Sequence, residues 1–235
     1  DDAVITPIGV YSLAEDMESN VWIASINGPF YISSADALAG NDLFVQHKVP
    51  RNDGTNLADY LLSDVKTRCI AVDGANRKWM GTNNGVFLIS NDCNTLIQHF
   101  TTENSPLLSN TVYDICVDDN SNMVYFATER GLCSYASDAT QPSEEMTKDN
   151  VYAYPNPVTP EYTGKITIVG LSFNADVKIV TSNGALVNQG RSTGGSYQWD
   201  GRDLKGKRVA SGVYMVQAAT ETGDKGVVCR IAVVN

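Results

Sequence analysis

The chain repeats itself, and that limits its fold more than anything else in it. Residues 12–33, SLAEDMESNVWIASINGPFYIS, align without a gap on residues 69–90, CIAVDGANRKWMGTNNGVFLIS. Leu13 meets Ile70, Ala14 meets Ala71, Asp16 meets Asp73 and Trp22 meets Trp79. Asn27-Gly28 meets Asn84-Gly85, and Phe30 meets Phe87. A third copy starts at Asp114, DICVDDNSNMVYFATERGLCSYAS. One extra residue in its turn puts Tyr125 in the Trp place and Gly131 in the Gly place. The connectors repeat as well: FVQHK at 44–48 resembles LIQHF at 96–100, and LLSD at 61–64 resembles LLSN at 107–110. Repeats of this length are supersecondary units that bury their apolar faces against neighbouring copies.

Within each unit, a short apolar strand such as Ile70–Val72 ends at an Asp turn. A second strand carries Trp or Tyr, and an Asn-Gly or Arg-Gly turn leads to a third. The Gln-His segment is expected to supply a fourth. The Trp places lie 57 and 46 residues apart, and four antiparallel strands at such spacing predict propeller blades. Three repeats fall short of the usual minimum of about four blades, so further blades are expected upstream of residue 1. Gly after Asn fits a turn that needs positive φ.

The pattern I-x-V-D-x-x-x-x-x-W-x-G-T-x-x-G-V-F at 70–87 closely resembles the two-component-regulator propeller repeat. The resemblance covers about residues 8–137 and implies blades of a seven-bladed propeller in a periplasmic sensor or a related secreted protein.

The second half reads differently. Residues 138–150, DATQPSEEMTKDN, are polar, and 143–150 are expected to form a linker. Seven short β runs follow, at 151–155, 164–170, 175–181, 185–191, 195–199, 211–220 and 225–234. Turns are expected at Asn183-Gly184, Gly194-Gly195, Asp200-Gly201 and Gly223-Asp224. Seven strands in this length predict an immunoglobulin-like sandwich over 151–235. The fold class expected is therefore all-β: a partial propeller of about three blades over 1–142, then the sandwich.

Tyr154-Pro155-Asn156-Pro157, Trp199-Asp200-Gly201-Arg202, Gly212-Val213-Tyr214 and the strand Cys229–Val234 occur in order. The set resembles the C-terminal sorting domain of type IX secretion cargo and the related flagellar-hook-capping sandwich. Blades followed by such a domain resemble a component of the type IX attachment complex at the outer-membrane surface. In that family the domain is kept, and the protein helps position the sortase and anionic lipopolysaccharide. The resemblance implies a non-catalytic interaction protein on the outer-membrane surface or in the periplasm of a Gram-negative bacterium. Its implied partners are proteins of a secretion complex, with lipopolysaccharide or a glycan as further ligands. Two alternatives stay open: the glycan-sensing ectodomain of a two-component sensor, and the C-terminal part of a secreted propeller enzyme. A sensor should continue into a transmembrane helix, whereas this sequence ends at Asn235 after a strand.

Charge and chemistry narrow the choice. Net charge is −10. Residues 1–142 hold 18 acidic and 7 basic residues (−11), and residues 143–235 hold 9 and 10 (+1). An acidic body repels phosphate backbones, which argues against nucleic acid. The cluster Arg202, Lys205, Lys207 and Arg208 reads as a solvated hairpin tip. No run of 18 apolar residues exists to span a membrane. The five cysteines, Cys69, Cys93, Cys116, Cys133 and Cys229, contain no C-x-x-C pair, and buried Cys behaves as a small apolar residue. One bridge among the first four stays open in an oxidising compartment. His47 and His99 occupy matching repeat positions and read as structural. Asp16, Asp73 and Asp118 read as turn caps, and the Asp118-Asp119-Asn120 cluster as a turn without the spacing of a calcium loop. Tyr31, Tyr60 and Tyr113 read as packing residues. No catalytic or metal residue, no cofactor and no binding residue is nominated.

Overall fold

The computed structural model describes residues 6–40, 44–51, 53–118, 120–223 and 226–234. The described residues are all-β apart from one short helix. It divides into two compact units, with the main break between Ala136 and Ser137.

The first unit holds the repeats. Repeat one forms β1 (Ser12–Glu15), β2 (Val21–Ser25) and β3 (Gly28–Ile32), an antiparallel sheet in chain order. A helix, α1 (Ser34–Leu38), follows, with Ser33 accepting from the Asp36 amide as its N-cap. The expected fourth strand at 44–48 is reduced to a bridge between Val45 and Tyr31. The longer first connector instead folds on itself as a hairpin of β4 (Lys48–Pro50) and β5 (Ala58–Tyr60). Repeat two is a complete four-stranded sheet: β6 (Thr67–Val72), β7 (Lys78–Thr82), β8 (Val86–Ile89) and β9 (Leu96–Phe100). Repeat three has three strands among the described residues: β10 (Val112–Asp118), β11 (Met123–Thr128) and β12 (Gly131–Ala136).

Alternation along β7 explains how the sheets stack. Met80 joins Trp22, Ala24, Ile70, Phe87 and Ile89 in the core shared with repeat one. Its neighbour Trp79 joins Val86, Leu88, Phe100, Val124 and Phe126 in the core shared with repeat three. A strand shows successive side chains to opposite faces, so strands buried on both faces are mostly apolar. Here β7 and β8 are fully buried. This is the blade packing expected of a partial propeller. The Gly of each repeat is required by the turn. Gly28, Gly85 and Gly131 have φ of +113°, +101° and +130°. A Cβ at Gly85 would also lie 2.1 Å from the Phe100 carbonyl oxygen.

The second unit is a β-sandwich. One sheet contains β13 (Tyr152–Tyr154), β14 (Ile166–Val169) and β17 (Tyr197–Trp199). The other contains β15 (Asp176–Thr181), β16 (Leu186–Arg191), β18 (Gly212–Ala219) and β19 (Gly226–Val233), in the order β16-β15-β18-β19. Both line one core around Ile166, Ile168, Leu171, Ile179, Trp199, Val216 and Ile231. The seven strands fall inside the seven β runs expected from the sequence. The turn glycines Gly184, Gly194, Gly201 and Gly223 all have positive φ, while Asp224 lies outside the described residues.

The stretch expected as a linker is packed. Within 143–150, Met146 is buried in the sandwich core, and the Ser143 amide donates to the Leu171 carbonyl at 2.8 Å. Its polar composition conceals a single apolar anchor, and Met146 is enough to dock it.

Candidate interaction surface

The chemistry-bearing residues of the repeats have local roles. Asp16 and Asp73 cap their turns. Asp16 Oδ1 accepts from the Glu18 and Asn20 amides, and Asp73 Oδ1 from the Ala75 and Arg77 amides, all at 3.0 Å. The second oxygen of each accepts from the Trp of its own repeat, Trp22 or Trp79, at 2.9 Å. This explains why Asp and Trp recur together six residues apart. Asp118 closes β10 opposite Met123, and Asp119 lies outside the described residues. His99 stacks on Phe87 at 3.9 Å and meets the Asn84 carbonyl at 2.7 Å. His47 lies 3.2 Å from Asn94 Oδ1. Tyr31 stacks on Trp22 at 5.0 Å, and Tyr60 and Tyr113 lie beneath Lys48 and Arg68.

The sequence did not reveal a buried ionic joint between repeats one and two. Lys78 Nζ lies 3.3 Å from Asp16 Oδ2, with the two side chains 1% and 2% exposed. It also donates to the Asn76 and Asn91 carbonyls at 2.9 and 3.1 Å and sits 5.5 Å from the Trp22 ring. All three ammonium donors are thus used. Burial opposes ionisation of Asp16. Hydrogen bonds from Trp22 and Asn20, with the Lys78 charge, outweigh it and hold the carboxyl below its ordinary value. Asp73 is likewise paired with Arg77 at 2.8 Å. The only signal was a basic pair, Arg77-Lys78, where the first repeat has Asn20-Val21.

All five cysteines are unpaired. Burial pushes the Cys69 thiol up to about 12 and those of Cys93 and Cys229 up to about 11, which makes them inert. Cys116 is exposed. Among the described residues, no three His, Cys, Asp or Glu side chains converge as metal ligands would. Among the described residues, no helix is long and apolar enough to cross a membrane.

The open surface of the first unit is on the third sheet. Tyr125 pairs with Cys116 as Trp79 pairs with Ala71. Trp79 packs on Phe100, Phe126 and Tyr135. The face that carries Tyr125 leaves Cys116, Leu132 and Ser134 exposed, Leu132 by 67%. The outer edge of β12 has no strand beside it among the described residues, whereas β8 has β9. A cleft of about 210 Å³ lined by Phe100, Leu107, Phe126 and Tyr135 adjoins that edge. An apolar face beside an open strand edge is a surface suited to protein contact.

In the sandwich, the motif residues hold the fold. Trp199 is buried, and its Nε1 donates to the Arg202 carbonyl at 2.8 Å, closing the Asp-Gly turn. Tyr214 packs edge-on against Trp199 at 5.6 Å and donates its hydroxyl to the Ala210 carbonyl at 2.8 Å. Asn156, between two cis peptide bonds at Pro155 and Pro157, reaches the edge of β19. It donates to the Arg230 carbonyl at 2.9 Å and accepts from the Ala232 amide at 3.0 Å, so the side chain takes the place of a neighbouring strand.

No family model matches the chain, and no curated protein matches it. Among solved structures, PorZ, a bacterial surface component of the type-IX secretion system of Porphyromonas gingivalis, is 34% identical over 96% of this chain, with a TM-score of 0.61. The extracellular domain of a hybrid two-component system from Bacteroides thetaiotaomicron is 13% identical over 95% of this chain and 44% of its own, with a TM-score of 0.38. Virginiamycin B lyase from Staphylococcus aureus is 15% identical over 94% of this chain and 83% of its own, with a TM-score of 0.30. The match spans 30% of the PorZ chain and points to an extracellular or surface location. In sequence and fold, this chain resembles a segment of PorZ, with propeller-like repeats followed by a β-sandwich.

Proposed function

We propose that the chain is a non-catalytic interaction module of a type IX secretion or surface-attachment complex, on the outer surface of a Gram-negative bacterium, with proteins as its partners. The sandwich over 151–235 is read as immunoglobulin-like and related to type IX sorting domains. The observation that carries this is the likeness to PorZ over 96% of the chain at 34% identity. The residue roles support it, since the Asp, His and Trp side chains of the repeats are spent on turns and seams. The open face and edge of the third sheet offer the contact area. No specific arrangement among the described residues favours the sensor or the enzyme reading.

The test is deletion of residues 138–234 from the native gene, followed by fractionation of the cells. The expected result is that secreted proteins are no longer attached at the cell surface while membrane fractions keep their usual composition. Normal attachment in the deletion strain would overturn the proposal.

A further inference from the structure

The sequence holds three Asn-Gly pairs, at 27–28, 84–85 and 183–184. Such a pair carries a chemistry that the proposed function does not use. Glycine has no side chain to screen its amide nitrogen and lets the backbone bend freely. That nitrogen can therefore attack the carboxamide carbon of the asparagine before it. Whether it does depends on how firmly the fold holds the two groups, because exposed turns open locally at far lower cost than buried ones.

Two of the pairs are tied to distant parts of the chain. Asn27 Oδ1 accepts from the Ile8 amide at 3.1 Å and the Ser25 hydroxyl at 2.8 Å, and its Nδ2 donates to the Thr6 carbonyl at 3.3 Å. Gly28 is buried. At the second pair, the Gly85 amide donates to the Asn110 carbonyl at 2.8 Å. His99 meets the Asn84 carbonyl at 2.7 Å, and Gly85 is buried against the Phe100 carbonyl. The third pair stands at the tip of the β15–β16 hairpin, with both residues exposed. A Cβ on Gly184 would meet nothing within 4 Å. The Gly184 amide donates to the Thr181 carbonyl at 2.9 Å, and the Thr181 hydroxyl donates to Asn183 Oδ1. The carboxamide and the amide nitrogen are thus both gathered at Thr181. Among the described residues, the hydrogen bonds of Asn183 and Gly184 stay within the turn, so it can open without disturbing another element.

We propose that Asn183 is a site of spontaneous modification in the folded protein, with water as the co-reactant, and that Asn27 and Asn84 are spared. The Gly184 nitrogen bonds to Asn183 Cγ, the Cγ–Nδ2 bond breaks, and the Gly184 amide proton leaves with Nδ2 as ammonia. The cyclic imide so formed takes up water. Opening at one carbonyl gives aspartate; opening at the other gives isoaspartate, whose main chain runs through Cβ and Cγ. No oxidant or reductant is needed. Either product places a carboxylate at the hairpin tip, and isoaspartate also lengthens the turn between β15 and β16. The site goes beyond the proposed interaction role and does not depend on it.

The test is incubation of the folded full chain at pH 8, with peptide mass mapping over time. The expected result is the mass gain of deamidation at Asn183 at least about tenfold faster than at Asn27 or Asn84. In urea concentrated enough to unfold the chain, all three pairs should react within about threefold of one another. That comparison separates what the fold contributes from what the local sequence contributes. Asn183→Gln, which would need a larger ring, should melt as the parent does and show no gain in this turn. Asn183 left intact in the folded chain while it reacts in urea, or Asn27 or Asn84 reacting as fast as Asn183 without urea, overturns the proposal.

Discussion

Lys78 is a residue whose role depends on its place in the stack of sheets. Its counterpart in the first repeat is Val21, so the repeat pattern alone gives no reason for a cation there. Its partner Asp16 belongs to another repeat, 62 positions away in sequence, and only the stacking of sheets brings the two together. Breaking such a pair leaves an uncompensated buried charge, so Lys78→Met should cost about 3–5 kcal/mol in urea unfolding. Combined with Asp16→Asn, the loss should be smaller than the sum of the single losses by about 0.5–3 kcal/mol. Strict additivity would mean that the pair is not coupled. The same carboxylate predicts a pH response. Asp16 ionises below its ordinary value of 3.8, so its stabilising contribution is complete above 3.8 and falls away as pH drops through the lower folded value. Urea midpoints measured from pH 5 down to pH 2 should show this fall, and Asp16→Asn should flatten it.

At the scale of elements, local chemistry was legible and its exceptions are physical. The seven sandwich strands lie within the runs read from the sequence, and in β14, β15 and β19 the alternating pairs Ile166/Ile168, Val177/Ile179 and Ile231/Val233 face the core, because one apolar face fixes the register. The Asp turns were legible for the same local reason. A single device recurs: Asp203 accepts from the Lys205 and Lys207 amides at 2.9 Å, as Asp16 and Asp73 do from theirs. The residue at left-handed φ is Ser19, Asn76 or Gly206 in turn. What failed was the fourth strand of repeat one. The alignment of FVQHK with LIQHF was real, but a strand also needs a free edge and chain length. The 49–60 connector pairs with itself instead. Asn156 was seen as part of a motif, but its partner strand is more than 70 residues away and was not visible. Asn156→Ala should cost about 1–2 kcal/mol by removing two hydrogen bonds at the β19 edge, measured by thermal melting. Asn156→Asp keeps only the acceptor and should fall between the two. A melting point unchanged in Asn156→Ala would show that the edge needs no cover.

For the whole molecule, the sequence made the two-part plan legible but not where its surfaces lie. Tyr125 was placed correctly against Trp79 by alignment, yet nothing in the sequence says which repeat stands at the end of the described stack. Exposure supplies that, and it gives a test. Cys116 lies on the uncovered face, whereas Cys69, Cys93 and Cys229 are held protonated by burial. A native thiol-labelling time course at pH 8 should therefore modify Cys116 first, with Cys69 reacting only on unfolding. If a partner covers this face in the assembled complex, Cys116 should become protected there. Equal labelling rates for all five thiols would contradict this arrangement.

The side chain of Asn156 also has a mechanical consequence. β18 and β19 run antiparallel, from Gly212↔Val233 to Ala219↔Gly226. A load applied at Val234 would peel such a hairpin apart one rung at a time, which takes little force. Here the outer edge of β19 is gripped too. Asn156 holds Arg230 and Ala232, and Val158 exchanges backbone hydrogen bonds with Ala232 and Val234 at 2.8 and 2.9 Å. The last rungs must then break on both sides together, so the strand resists a pull as a clamped strip does rather than as a zipper.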